Sequence, residues 1–240
     1  MAFLEIEKLS KSFGGLQAVS DLDVVVNKGE ILGVIGPNGS GKTTLFNLIS
    51  GLIKPDNGKI TLQGKDITGA GPHRVCESGI ARTFQIVKPF KEMTVLKNVM
   101  VGRAYGSQPI NNMKQIKLES EELLRFTGLE SKQSIVAEKL SLIDRKRLEL
   151  TRALATQPKI LLLDEVMAGL NPAEIEEAVN LVQQLRESGI TVIIVEHVMR
   201  VVLGMSDRVL VLHVGKKIAD GTPEEIAHDE HVIQVYLGEQ

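Results

Sequence analysis

The segment Gly36-Pro37-Asn38-Gly39-Ser40-Gly41-Lys42-Thr43 constrains this chain more than any other. It follows Ile31-Leu32-Gly33-Val34-Ile35, an unbroken apolar run that reads as a strand buried on both faces. It precedes a helix-like stretch from Lys42 to Ser50. Strand, glycine-rich loop and helix in that order are the context a phosphate-binding loop requires. Backbone N–H groups and the helix N-terminus would face the β- and γ-phosphates, Lys42 would add a positive charge, and Thr43 could ligate Mg²⁺. The same residues could also form a glycine-rich turn that binds nothing, an outcome the correct flanks make rarer. The candidate nucleotide contacts are Gly36, Pro37, Asn38, Gly39, Ser40, Gly41, Lys42, Thr43 and Thr44.

Further βα patterns extend that nucleus. Lys159 to Leu163 and Ile190 to Val195 read as buried strands, each followed by a helical pattern, so the centre of the sheet is expected to be parallel. Pro172 to Glu187 reads as a helix with proline at its first position and Gly189 past its end. Residues 3–9 and 22–26 read as strands of an antiparallel edge layer, and Lys59 to Leu62 as another short strand. From about 93 to 156 there is no strand pattern, only helices broken near Gly102 to Asn112 and at Gly128. The expectation is an α/β P-loop core with a mainly parallel sheet and an N-terminal antiparallel layer. Within one domain over 1–240, a helical subdomain would cover about 93–156 and a C-terminal extension about 213–240.

Composition excludes several classes. The 240 residues carry a net charge of −2, and the helical stretch interleaves acids with bases, so no nucleic-acid partner is expected from bulk charge. Aromatic residues make up 3 % with no Trp, too few for a base-stacking platform. Cys76 is the single cysteine, which excludes an internal disulfide and a cysteine-rich zinc site and points to a reducing compartment. Glu5 and Glu7 stand where a signal peptide needs a cationic and then apolar stretch, so export by that route is not expected. No apolar run approaches the ~20 residues of a membrane-spanning helix.

Outside the glycine-rich loop, Asp164 and Glu165 end a buried strand, where open α/β sheets place ligands. Asp164 could hold Mg²⁺ and Glu165 could polarise an attacking water; solvated acids at a strand end are the plainer alternative. His197 follows the strand ending at Val195 and could donate to a γ-phosphate, or be an ordinary core or surface histidine. Gln85, in Arg82-Thr83-Phe84-Gln85, could orient water or Mg²⁺, although most glutamines do neither.

Taken in order, the phosphate loop, Gln85, Leu140-Ser141, Asp164-Glu165, Gly169-Leu170-Asn171 and His197 resemble the ATP-binding subunit of an ABC transporter over nearly the whole chain. Ala81 to Gln85, Lys91 to Val99, Ala168 to Pro172 and the tail 232–238 are similar to its branched-chain amino-acid uptake branch. The resemblance implies ATP and Mg²⁺ as cofactors and an ATPase that powers import. Glu165, His197 and Gln85 would be catalytic; Thr43, Gln85 and Asp164 would serve the metal. Two such subunits, as a homodimer or heterodimer, sandwich two ATP molecules in that family. Ser141 would face a phosphate across the dimer. Phe13 would stack on adenine, unless it simply packs in the core. Membrane-spanning permease subunits and a substrate-binding protein are the implied partners, with the chain peripheral on the cytoplasmic face of the membrane. Val87, Phe90 and Met93 are expected to line a cleft for the permease, or to pack internally. Cargo is legible only by resemblance; other amino acids, amides or urea are alternatives. An ABC-type ATPase or nucleotide-dependent regulator uncoupled from transport is the alternative function.

Three departures from the family pattern stand out. The usual Leu-Ser-Gly-Gly-Gln is Leu140-Ser141-Leu142-Ile143-Asp144, Val166 replaces a proline, and Asn171 replaces an aspartate. Ser141 followed three residues later by Asp144 still predicts a helix start, with Asp144 tied to the cap or to Arg147.

Overall fold

The structure, a computed structural model, describes residues 2–84 and 88–237. Its elements in chain order are β1 (Leu4–Phe13), β2 (Leu16–Val26), β3 (Ile31–Ile35), α1 (Lys42–Ile49), β4 (Asn57–Leu62), β5 (Lys65–Asp66), α2 (Pro72–Ser78) and β6 (Ile80–Arg82). There follow α3 (Val95–Ala104), α4 (Met113–Phe126), α5 (Leu142–Ala155), β7 (Ile160–Asp164), α6 (Pro172–Glu187) and β8 (Thr191–Val195). The chain ends with α7 (Met199–Met205), β9 (Arg208–His213), β10 (Lys216–Gly221), α8 (Pro223–His228) and α9 (Glu230–Leu237). Two compact units divide it, one of residues 1–72 and 182–240, the other of 73–181.

The first unit holds the antiparallel layer, in the order β2-β1-β4-β5. Leu4 pairs with Val26 on one side and with Leu62 on the other. Leu4, Ile6, Val24, Val26, Ile60 and Leu62 are buried, which is the alternation that covers one sheet face. The strands β1 and β2 run further than expected, joined at Gly14-Gly15. Their hairpin-side ends mix polar residues with Phe13, Leu16, Ala18 and Val19, several of them exposed, and were not marked as strand from the sequence. The other sheet strands of this unit place β3 parallel to both β8 and β9, with Val34 opposite Val195 and Leu210. All five residues of β3 and of β8 are buried. β10 returns antiparallel to β9. Ile35, Val202, Val209, Val211, Ile226 and Val232 form a shared core that fastens α7, α8 and α9; each such side chain contributes about 1.5–3 kcal/mol on burial.

The second unit pairs β6 with β7 in parallel, Ile80 opposite Ile160 and Arg82 opposite Leu162. Around Val95, Val99, Leu124, Leu129, Leu140 and Leu148 the helices α3, α4 and α5 close a separate apolar cluster. Thr94, Asn112 and Ser141 cap those three helices with side-chain oxygens that accept from backbone N–H groups, satisfying donors a helix start leaves open. The α/β class, the N-terminal antiparallel layer, the parallel central strands and the helical region are those expected. The short β6, the β9–β10 pair, and α2, α8 and α9 were not legible in the sequence, whereas α7 is the helical pattern expected after Val195.

Candidate functional site

In the first unit, β3 delivers the chain into the glycine-rich loop and α1 takes it out. Gly36 is at φ +150° and Gly41 at +107°. A Cβ at Gly36 would lie 2.1 Å from the Leu212 carbonyl oxygen, and one at Gly41 2.4 Å from that of Ala18. Both positions therefore exclude every other residue on space as well as on backbone conformation. The Gly215 N–H donates to the Ser40 carbonyl at 3.0 Å, and the Ser20 N–H donates to the Gly215 carbonyl at 2.8 Å. The β9–β10 turn thus braces the loop from below, a support 175 residues away from it in the chain that no local pattern reveals.

Helix α1 starts at Gly41 without a side-chain cap and without an acidic residue in its first turn. That leaves the positive end of its dipole for an anion. The buried Lys42 folds back, its Nζ donating to the carbonyls of Gly36 at 2.7 Å and Pro37 at 2.8 Å. The ammonium is held over the loop by these two carbonyls. Asn38, Gly39 and Thr43 are exposed and Thr44 is partly so. Because β3 and β8 are parallel neighbours, Gly36 and the Glu196-His197 pair leave the same, C-terminal end of the strands. His197 is exposed there.

Phe13 ends β1 beside the Gly14-Gly15 turn and is 49 % exposed, with the Lys11 Nζ 5.7 Å from its ring centroid. Core packing, one of its two expected roles, is therefore overturned: a hairpin tip has no second layer over it.

In the second unit, Asp164 closes β7. Its Oδ2 accepts from the Arg82 Nη2 at 2.7 Å, and its backbone N–H donates to the Thr83 hydroxyl at 3.2 Å. The adjoining Glu165 sits at φ +51°, rare for a residue with a Cβ. Gln85 and Val87 lie outside the described residues, but Phe84, next to Gln85, donates its N–H to the Glu149 carboxylate at 2.8 Å. Burial pushes the Glu149 pKa up to about 7, against lowering by the Phe84 N–H and the nearby Arg152 and Lys146. Past the undescribed residues, the buried Asn98 amide organises the backbone. It donates to the carbonyls of Phe90, Met93 and Thr94 and accepts from the Phe90 N–H. Phe90 and Met93 are exposed, so neither packs internally.

Ser141 caps α5 through the Asp144 N–H at 3.3 Å and donates its own hydroxyl proton to Asp144 Oδ2 at 2.6 Å. Lys132 Nζ is 2.6 Å from the same oxygen. Although burial opposes ionisation of Asp144, the hydrogen bonds from Lys132 and Ser141 prevail and lower its pKa. Asp144 is held by the cap, as expected, and by Lys132; the ion-pair partner of Arg147 is Glu177. Asn171 Oδ1 accepts from the Glu174 N–H at 3.0 Å and the Glu174 carboxylate accepts from the Asn171 N–H at 2.9 Å. The amide that replaces an aspartate here is the cap of α6.

Thr43 in the first unit and Asp164 in the second each carry a hard oxygen donor of the kind Mg²⁺ takes, and among the described residues no group of three His, Cys, Asp or Glu side chains could cage a metal alone. An ion that keeps waters and shares substrate phosphates needs no such cage.

A helix-opening anion site after a buried strand, with a lysine held over it, defines a P-loop nucleotide-binding protein. The ABC transporter family matches residues 19–168, and the chain belongs to it as an ATP-binding cassette, an ATPase. Within that family the likeness is to one branch. The family described as Branched-chain amino acid ATP-binding cassette transporter matches residues 216–240. A probable branched-chain amino acid transport ATP-binding protein LivG of Archaeoglobus fulgidus is 39 % identical, over 100 % of this chain and 97 % of that protein. The high-affinity branched-chain amino acid transport ATP-binding protein LivG of Escherichia coli K12 is also 39 % identical, over 98 % of each. Among solved structures, the ADP conformation of MJ1267, an ATP-binding cassette of an ABC transporter, superposes with a TM-score of 0.91 at 35 % identity, covering 99 % of each chain.

Proposed function

We propose that this chain is the ATP-hydrolysing subunit of an ABC importer for branched-chain amino acids. The observation that carries the reading is the uncapped start of α1 beneath the brace of Lys42, in a chain alike from end to end to branched-chain transport cassettes. Gly36 to Thr44 bind the phosphates of ATP, and the exposed ring of Phe13 stacks on adenine. Thr43, Gln85 and Asp164 would hold Mg²⁺. Mg²⁺, when bound, neutralises phosphate charge. Glu165 takes a proton from the attacking water, while His197 donates a hydrogen bond to the γ-phosphate and Gln85 orients the water. Ser141, at the start of α5, serves the nucleotide of a second ATP-binding subunit, identical or not. Permease subunits receive the motion through a surface that includes the exposed Phe90 and Met93, and a substrate-binding protein delivers cargo. Among the described residues no helix is long and apolar enough to cross a membrane, which suits a subunit held at the cytoplasmic face by partners. The chain is then one ATP-binding domain over 1–240, with a helical subdomain over about 93–156 and a C-terminal extension over about 213–240.

The test is Glu165→Gln with labelled ATP. Turnover should fall ~10²- to 10⁴-fold while ATP binding is kept, because the phosphate cradle is untouched. A residual rate above about a tenth of wild type removes Glu165 as the base. Leucine uptake into vesicles containing the full complex, abolished by the same substitution, tests the cargo.

A further inference from the structure

Three successive cations open the body of α5, and they go three different ways. Arg145 donates to the Glu138 carbonyl, and Arg147 pairs with Glu177. Lys146 reaches the turn after β7, its Nζ donating to the backbone carbonyls of Glu165 at 3.4 Å, Val166 at 3.0 Å and Ala168. An ammonium has three N–H donors, and three carbonyls converge on this one. The same turn holds Glu165 at φ +51°, a conformation that persists for a residue with a Cβ only where the surroundings over-determine it. The Ala168 N–H closes the turn on the Glu165 carbonyl at 3.3 Å. That carbonyl thus takes both a local and a distant donor.

We infer that Lys146 is a positioning residue for ATP hydrolysis: it holds the Glu165 turn to α5 and fixes the backbone conformation from which the carboxylate acts. The inference rests on Glu165 as the base. It also gives α5, which begins at the Ser141 cap, a direct mechanical hold on Glu165 within one unit of the fold. A charge on a flexible stem suits the task, since it gathers carbonyls of differing direction.

The full chain carrying Lys146→Met keeps the stem and loses the donors. Its kcat should fall on the order of 10-fold or more, the scale that misplacement of a catalytic group produces, with KM for ATP within about two-fold of wild type. Lys146→Arg should recover most of the rate. In a Glu165→Gln background, the same Lys146→Met change should cost less than about two-fold, because the group it positions is gone. Should Lys146→Met lose cooperative unfolding, Lys146→Gln, which keeps an amide donor, takes its place with a smaller expected loss. Unchanged kcat in Lys146→Met beside an inactive Glu165→Gln overturns the inference alone, as does an equal loss in both backgrounds. An active Glu165→Gln overturns the base assignment and this inference with it.

Discussion

Arg82 and Asp164, the last residues of two neighbouring parallel strands, form an ion pair at 2.7 Å with both side chains only 5–6 % exposed. One carboxylate oxygen of Asp164 is thereby engaged by Arg82. The Arg82 guanidinium also lies 5.1 Å from the centroid of the Phe84 ring. One arginine thus ties the candidate metal ligand to the residue that precedes Gln85.

Removing one half of a buried pair leaves the other charge without compensation. Arg82→Met should destabilise the protein by about 3–5 kcal/mol in urea unfolding, whereas the double variant with Asp164→Asn should lose less than the two single changes combined. Additive losses would show that the pair is not coupled.

Glu149 supplies a pH dependence of opposite sign to that of a salt-bridged acid. Its folded-state pKa, raised to about 7 by burial, exceeds the ordinary value of 4.5. The folded protein therefore binds the proton more tightly than the unfolded chain, and stability falls as pH rises from about 4.5 through about 7, by on the order of 3 kcal/mol. Glu149→Gln keeps an acceptor for the Phe84 N–H and should flatten the profile of unfolding midpoints between pH 5 and 8. A wild-type profile that rises over that window contradicts the assignment.

Lys42 is held by two carbonyls of its own loop, which fixes its charge there. Lys42→Ala should weaken ATP binding at least about ten-fold, since a charge-assisted phosphate contact is lost. Calorimetric titration of the purified chain reads this directly, and an unchanged affinity would refute it.

Ser141 both accepts from and donates to Asp144. Ser141→Ala removes the cap and should cost ~1 kcal/mol of stability. In a Glu165→Gln background, ATP-driven dimerisation on a sizing column should suffer more than monomer binding of ATP. Equal effects on the two would separate the cap from any role at a second nucleotide.

The β3–loop–α1 unit was legible because its signal is local: five consecutive residues without a polar side chain, a loop with glycine at positions 36, 39 and 41, and a lysine at the first position of the helix. The Ser141 cap and the Pro172 to Glu187 helix were legible for the same reason, the first from four adjacent residues and the second from Pro172 at its start and Gly189 just past its end. The full lengths of β1 and β2 were not, since their far ends are sustained by pairing with each other across the Gly14-Gly15 turn. Nor could any local pattern show that Gly215 braces Ser40, that Arg82 meets Asp164, that Glu149 is 8 % exposed and takes the Phe84 N–H, or that Lys146 clasps the Glu165 turn. Each of those joins residues 19 to 175 positions apart, through a geometry that exists only once strands have paired and helices have packed. Sequence determined which chemistry this protein carries, because residue type and short-range spacing suffice for a phosphate loop, an acidic strand end and a helix cap. Tertiary structure alone decided how those groups are held, because hydrogen-bond direction, burial and the partner of a charge are properties of space and not of order along the chain.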